Sequence, residues 1–240
     1  HMTTKLAIFA YDGCLSTSIT GPTDVFHIAN IHQRVRKEDP GNPLFSWKIY
    51  SPDGKPVNTS TGITIAVDGR YEEAGNPDIC LIPGIDHAFG YEVTKKTEEM
   101  RSLLGGLIKS HHARGAVIAS NCSGSFLLAD TGLLDGYEAT TSWWLAHHFT
   151  HSFPKVHLRL EKMVTEQNKV YCSGAVTAYM HLCIRLIERF AGQSLQSVRR
   201  AIVEAMRSDK DGIDQYFQAS LEPASRTFES DDSESPYIVA

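Results

Sequence analysis

The feature that most limits this chain is a repeated unit: a short apolar run that ends in a turn and gives way to a helical pattern. The runs are Lys5–Phe9 (KLAIF), Asp78–Ile82 (DICLI) and Ala116–Ala119 (AVIA). Within them apolar residues are continuous and do not alternate with polar ones, so each reads as a strand buried on both faces. Such strands alternating with helices predict an α/β fold, a mostly parallel sheet in a three-layer sandwich with helices on both faces. Sheets of this kind bind ligands beyond the carboxyl ends of their strands. The loops after Phe9, Ile82 and Ala119 are therefore the places to look.

The remaining pattern fits around that core. Gly21-Pro22 opens a helix to about Arg36, with proline in the first turn, where its missing N–H costs nothing. Phe45–Ser51 alternates and reads as a strand, and Gly62–Val67 reads as another nearer an edge. Thr97–His112 carries Met100, Leu103, Leu104, Leu107 and Ile108 at helical spacing. Ser125–Asp130, Leu145–Phe153, Val176–Phe190 and Leu195–Met206 read as helices. Val156–Leu160 and Lys169–Cys172 read as paired strands on either side of a polar turn at TEQN.

Composition bounds the function. Of 240 residues, 42% are hydrophobic and 21% charged, enough apolar side chain for a large core. The net charge of -5 makes a poor nucleic-acid surface, since phosphate contacts need clustered cations. Apolar runs stay far below the ~20 residues of a membrane span, and no signal-peptide pattern opens the chain. Five widely spaced cysteines (Cys14, Cys80, Cys122, Cys172, Cys183) show no metal-binding spacing. They suit reduced thiols and a cytoplasmic setting. No cofactor motif is present, so none is expected. Leaving His1-Met2 aside, one domain is expected over 3–220. From Leu221 to Ala240 come five acidic residues, one basic residue and several serines, a linker or tail composition. The rest of the chain holds 22 Lys plus Arg against 23 Asp plus Glu, so the acidity sits mostly in that tail.

Chemistry concentrates at AVIASNCSGSFLLAD. A buried strand runs into Asn121-Cys122-Ser123-Gly124 and a helix leaves at once. A residue at such a turn is held in a sparsely populated backbone conformation with its side chain exposed at the sheet edge, and small neighbours let the turn close. Cys122 is thereby the candidate nucleophile. At the positive end of a helix its pKa is expected below the usual thiol range. The N–H of Ser123 points into the same space, and the N–H of Gly84 in the neighbouring loop is a candidate second donor for an oxyanion hole. The other four cysteines read as small apolar core residues.

These residues carry a resemblance. The chain resembles the DJ-1/PfpI superfamily, the class I glutamine-amidotransferase-like fold, and within it the amidase-like N-terminal domain of AraC-family transcriptional regulators. The matching segments are TGPTDVF at Thr20–Phe26, LIPG at Leu81–Gly84, SNCSGSFLLADTGLLDGYEATTSWW at Ser120–Trp144 and CSGAVTAYMHLCIRLIERFAG at Cys172–Gly192. The resemblance runs from Lys5 to about Gln218. It implies a flavodoxin-like sandwich with a nucleophile elbow, a homodimer, and a pocket formed by Ser18, Gly84, Ile85, Cys122, Ser123 and Ser142. Active members usually carry an acid at the position of Ser18, often a histidine at Ser142, and often a second glycine at Ile85. A serine cannot replace a carboxylate or imidazole as general base near neutral pH.

Two readings follow. In the first, the chain is the ligand-sensing, dimerising part of a regulator. Its small-molecule effector is unidentified, and its DNA contacts are made through a helix-turn-helix domain beyond this chain. In the second, it is a Cys-dependent hydratase, lyase or amidase of the isonitrile-hydratase kind. Asp24, Asp86 and His87 lie close enough in sequence to the two loops to act as a base if one of them points at the sulfur. His147, His148 and His151 lie on one predicted helix, with His147 and His151 on one face, but no Glu follows the first His, no third ligand is near, and no metal is expected. His111-His112 close a helix. Trp143 and Trp144 read as core and interface packing, and Arg199-Arg200 as an ordinary exposed pair.

Overall fold

A computed structural model describes residues 2–36, 41–192 and 200. The chain-order elements are β1 (Thr4–Phe9), α1 (Thr17–Arg36), β2 (Phe45–Ser51), β3 (Val57–Asn58), β4 (Thr64–Ile65), β5 (Gly69–Arg70) and β6 (Ile79–Ile82). There follow α2 (Gly90–Met100), a π-helical turn (Arg101–Gly105), α3 (Gly106–Ala113), β7 (Val117–Asn121), α4 (Ser125–Asp130) and β8 (Glu138–Ala139). The remainder is α5 (Ala146–Ser152), β9 (His157–Leu158), β10 (Val164–Gln167), β11 (Val170–Ser173) and α6 (Tyr179–Ala191). The readings over Leu195–Met206, at Arg199, of the domain end at 220 and of the tail lie outside the described residues.

The main sheet has seven strands in the order β10-β11-β7-β6-β1-β2-β5. All pairs are parallel except β10 with β11. The three apolar runs are its centre, and β6 and β7 are buried at every position. Helices α1 and α6 pack together on one face, and α2, α4 and α5 on the other, giving the expected flavodoxin-like three-layer sandwich. Beyond β1 the chain crosses to β2 on one side, while β6 lies on the other side, so the loops after Phe9 and Ile82 diverge at a topological switch point.

Several boundaries differ from the sequence reading. Helix α1 starts at Thr17, not Gly21, so Pro22 lies inside it. Ser16 takes over the start: its carbonyl accepts the N–H groups of Ile19 and Thr20 at 3.1 and 3.0 Å. The expected strand Gly62–Val67 shrinks to β4, paired with β3 in a two-stranded ribbon outside the main sheet. Only the last residue of TEQN lies in the turn; Thr165, Glu166 and Gln167 form most of β10. The turn is Asn168-Lys169, with φ of 52° and 58°, the left-handed pair that a tight hairpin needs. His157–Leu158 pairs with β8 instead of with β11. The expected helix Thr97–His112 begins earlier, at Gly90, and contains the π turn.

Candidate functional site

Strand β7 delivers Asn121 in an extended conformation, and Cys122 follows at φ 54°, in the left-handed region. That is the strained elbow expected from the sequence. Its closure depends on Gly124: a Cβ there would lie 3.0 Å from both the Ile82 and Pro83 carbonyl oxygens. The end of β6 can approach this closely only because that side chain is absent.

The six candidate residues converge. Ser18, Cys122, Ser123, Ser142, Gly84 and Ile85 are all buried. Ser18 Oγ accepts the Gly84 N–H at 3.1 Å. Ser123 Oγ accepts the Ile85 N–H at 2.7 Å and lies 2.8 Å from the Ile85 carbonyl, to which it donates. Cys122 Sγ and Ser142 Oγ are 2.8 Å apart. Ser125 and Thr141 complete the shell, their hydroxyls 2.8 Å apart and Ser125 Oγ donating to the Cys122 carbonyl at 3.1 Å.

Three sequence expectations are corrected by this geometry. The Cys122 side chain is not exposed at the sheet edge but buried, walled in by the serine hydroxyls and the loop after β6. The Gly84 N–H does not stand open as a second oxyanion donor, because the Ser18 hydroxyl already occupies it. The Cys122 pKa is raised, not lowered. Burial is the leading cause, and the hydrogen bonds of Ser142 and Ser123 offset only part of it. The elbow turn leads into a helix of six residues, too short to carry much dipole, while the sulfur is shut away from water. The four other thiols are raised by burial too, Cys14 and Cys172 to about 11.

None of the alternative bases supplies a proton acceptor to Cys122. Asp24 and Asp86 are exposed. His87 is committed elsewhere: its Nε2 accepts the Trp144 indole N–H at 2.9 Å, leaving Nδ1 to donate to the Ile85 carbonyl at 2.8 Å. Trp143 is half exposed, so it is not core. His147, His148 and His151 face α2 in a surface pocket of about 450 Å³ with Tyr91, Lys95 and Glu98. No three or more metal-ligating side chains are arranged to hold an ion among the described residues. A larger pocket, about 750 Å³, lies along the edge strand β10 and α6.

The sequence reading missed two residues of the first loop. Tyr11, fully buried, donates its hydroxyl to the Pro83 carbonyl at 2.5 Å and ties that loop to the end of β6. Leu15 lies against Gly84, where a Cβ would come within 2.8 Å of its Cδ1. Both sit in a loop already marked by the switch-point rule, but no spacing signal singles them out.

Comparison with known proteins agrees with this architecture. The chain is 29% identical over 181 residues to the HTH-type transcriptional regulator GbdR of Pseudomonas aeruginosa, a match covering 74% of this chain and 47% of that protein. The chain thus spans about half the length of that relative. It is 28% identical over 147 residues to the isonitrile hydratase of Pseudomonas putida, covering 61% of this chain and 58% of the relative. A solved structure of a putative transcriptional regulator protein from Vibrio parahaemolyticus superposes with a TM-score of 0.70 at 19% identity, covering 83% and 97% of the two chains, a likeness of fold. Residues 4–189, which hold the whole sheet, the elbow and the serine cradle, match the family model for the DJ-1/PfpI family, and the chain belongs to that family.

Proposed function

We propose that this chain is the effector-sensing part of an AraC-type transcriptional regulator and has no catalytic turnover of its own. The observation that carries the reading is the partner of Cys122: a serine hydroxyl at 2.8 Å, in a cradle of further hydroxyls. Nothing there takes a proton near neutral pH, and loss of a general base commonly lowers rate by ~10² to 10⁴. A cradle that keeps its donors and acceptors can still bind. The 29% identity to an HTH-type regulator points the same way.

On this reading the chain is cytoplasmic and works as a homodimer, since two-fold symmetry suits a regulator reading two half-sites. DNA is contacted through a basic helix-turn-helix domain of ~100 residues beyond Ala240. No described helix is long and apolar enough to cross a membrane. A stop codon directly after Ala240 in the source gene would oppose the added domain. Sedimentation showing only monomer at tens of micromolar, a rough concentration, would oppose the dimer.

The second reading, a hydratase, lyase or amidase, is favoured by the elbow itself and by the 28% identity to an isonitrile hydratase. One assay separates the two. Wild-type chain and Cys122→Ala are given isonitriles, amides and α-oxoaldehydes. The sensor reading expects equal, background rates from both. Turnover by wild type that disappears in Cys122→Ala would overturn it.

A further inference from the structure

The groups around Cys122 share one property: none carries a charge. Ser18, Ser123, Ser125, Thr141 and Ser142 supply the buried polar atoms. Among the described residues the buried polar side chains include no Asp, Glu, Lys or Arg. The influences on the Cys122 thiol are burial and two serines, with no charged side chain among them. Of the charged residues in and beside the two loops, Asp12 and Asp86 are exposed, Glu92 is half-buried, and the Lys96 ammonium lies 5.7 Å from the centre of the Tyr11 ring.

The first loop is strapped to Gly84 and Ile85. Cys14 pairs antiparallel with Ile85, and the Leu15 N–H donates to the Gly84 carbonyl at 2.9 Å. The Leu15 side chain is half-buried and reaches the point where a Gly84 Cβ would stand, a point 3.4 Å from Cys122 Cβ. Leu15 is therefore partly exposed and packed against Gly84, beside the elbow.

We propose that the Cys122 cradle admits uncharged polar small molecules and excludes ions, and that displacement of the Leu15 side chain opens it. The proposal rests on the reading of Cys122 as a ligand site and adds the class of ligand. An ion entering the cradle would lose its hydration with no opposite charge to replace it, whereas a neutral donor–acceptor group would exchange water for hydroxyls.

Two alkylating agents that differ in charge test this. Iodoacetamide is neutral and iodoacetate is an anion. Both react alike: the thiolate sulfur bonds to the CH₂ carbon, the C–I bond breaks, iodide leaves, and the thiol proton passes to solvent. Rates at each of the five cysteines are read by peptide mass mapping, in native chain and in urea. Salt at about 0.5 M screens the net charge of -5. We expect the iodoacetamide-to-iodoacetate rate ratio at Cys122 to be at least about tenfold higher in native than in unfolded chain. Leu15→Ala should raise the native iodoacetamide rate at Cys122 by about tenfold or more, with Cys80 and Cys183 unchanged.

Equal ratios in the two states would overturn the exclusion of ions. A Leu15→Ala rate no faster than wild type, or a parallel rise at Cys80 and Cys183, would overturn the gate. Inertness of Cys122 to both reagents in both proteins would overturn the whole proposal. The readout needs neither effector nor turnover, so it fails separately from the sensor reading.

Discussion

At Cys122, sequence locates the residue but does not set its ionisation. The strand, the small residues and the departing helix are all local, and they predict a sparsely populated backbone conformation, which is found there at φ 54°. Ionisation depends on how deeply the sulfur lies, which is set by contacts with Ser142, Ser123 and the loop after β6. Alkylation of Cys122 by iodoacetamide should therefore follow a pH profile whose midpoint lies above the ordinary thiol value of 9.0. Ser142→Ala should move it higher still, because the Ser142 hydrogen bond is the largest influence holding it down. A midpoint below about 7 would restore the activated thiolate. Gly124 was also legible as a small neighbour, and its environment makes the cost of change specific. Gly124→Ala would push a methyl into two backbone carbonyls that cannot rotate away. It should lower unfolding free energy by about 1–3 kcal/mol in a urea titration. The Ser18–Gly84 and Ser123–Ile85 bonds were not legible, since each joins residues 66 and 38 positions apart.

Among elements, the wholly apolar strands were the easiest to read, because burial on both faces leaves continuous runs with no competing helical period. The ends of helices and the hairpin were misread for physical reasons. Pro22 looked like a first-turn residue, yet Ser16 starts the helix four residues sooner than Thr20-Gly21 would. The π turn at Arg101–Gly105 leaves no sequence mark, although it is tied to α4 by a two-pronged Arg101–Asp130 pair at 2.9 and 2.7 Å. TEQN looked like a turn because it is polar, but β10 is an edge strand and tolerates polar residues. The true turn, Asn168-Lys169, needs positive φ at both positions and has no glycine. A left-handed L-residue costs ~1–2 kcal/mol, part of which glycine's extra chain entropy offsets. Lys169→Gly, giving the favoured Asn-Gly pair, should therefore stabilise the chain by up to about 1 kcal/mol. The urea midpoint should rise with an unchanged slope. A fall would mean that the Lys169 side chain contributes more than the strain removes.

For the molecule as a whole, one trait governs its response to pH: ionisable groups in the interior are kept neutral. His111, His148 and His181 are lowered from 6.5, with burial as the leading cause. The unfolded chain then binds more protons below that pH than the folded one, so stability falls as pH drops below about 6.5. The thiols shift the other way. Cys14 and Cys172 rise from 9.0 to about 11, and Cys80, Cys122 and Cys183 are raised as well. Buried phenols join them: Tyr171 rises from 10.0 to about 12, and Tyr11 and Tyr71 are raised by desolvation. Above about pH 9 the unfolded chain releases protons that the folded chain retains, so stability present at lower pH is lost as pH climbs toward 11. Urea midpoints measured from about pH 5 to 11 should trace a plateau between roughly 6.5 and 9 with a fall on each side. Each limb has its own control. His111→Gln should soften the acid limb, because the His111 imidazole is buried against Phe9 and Arg114 and its charging is what the folded state resists. Cys14→Ala should soften the alkaline limb and leave the acid limb as it was. A curve that stays level from pH 7 to 11, a range taken as approximate, would contradict the thiol and phenol shifts together, and with them the uncharged interior on which the ligand class at Cys122 depends.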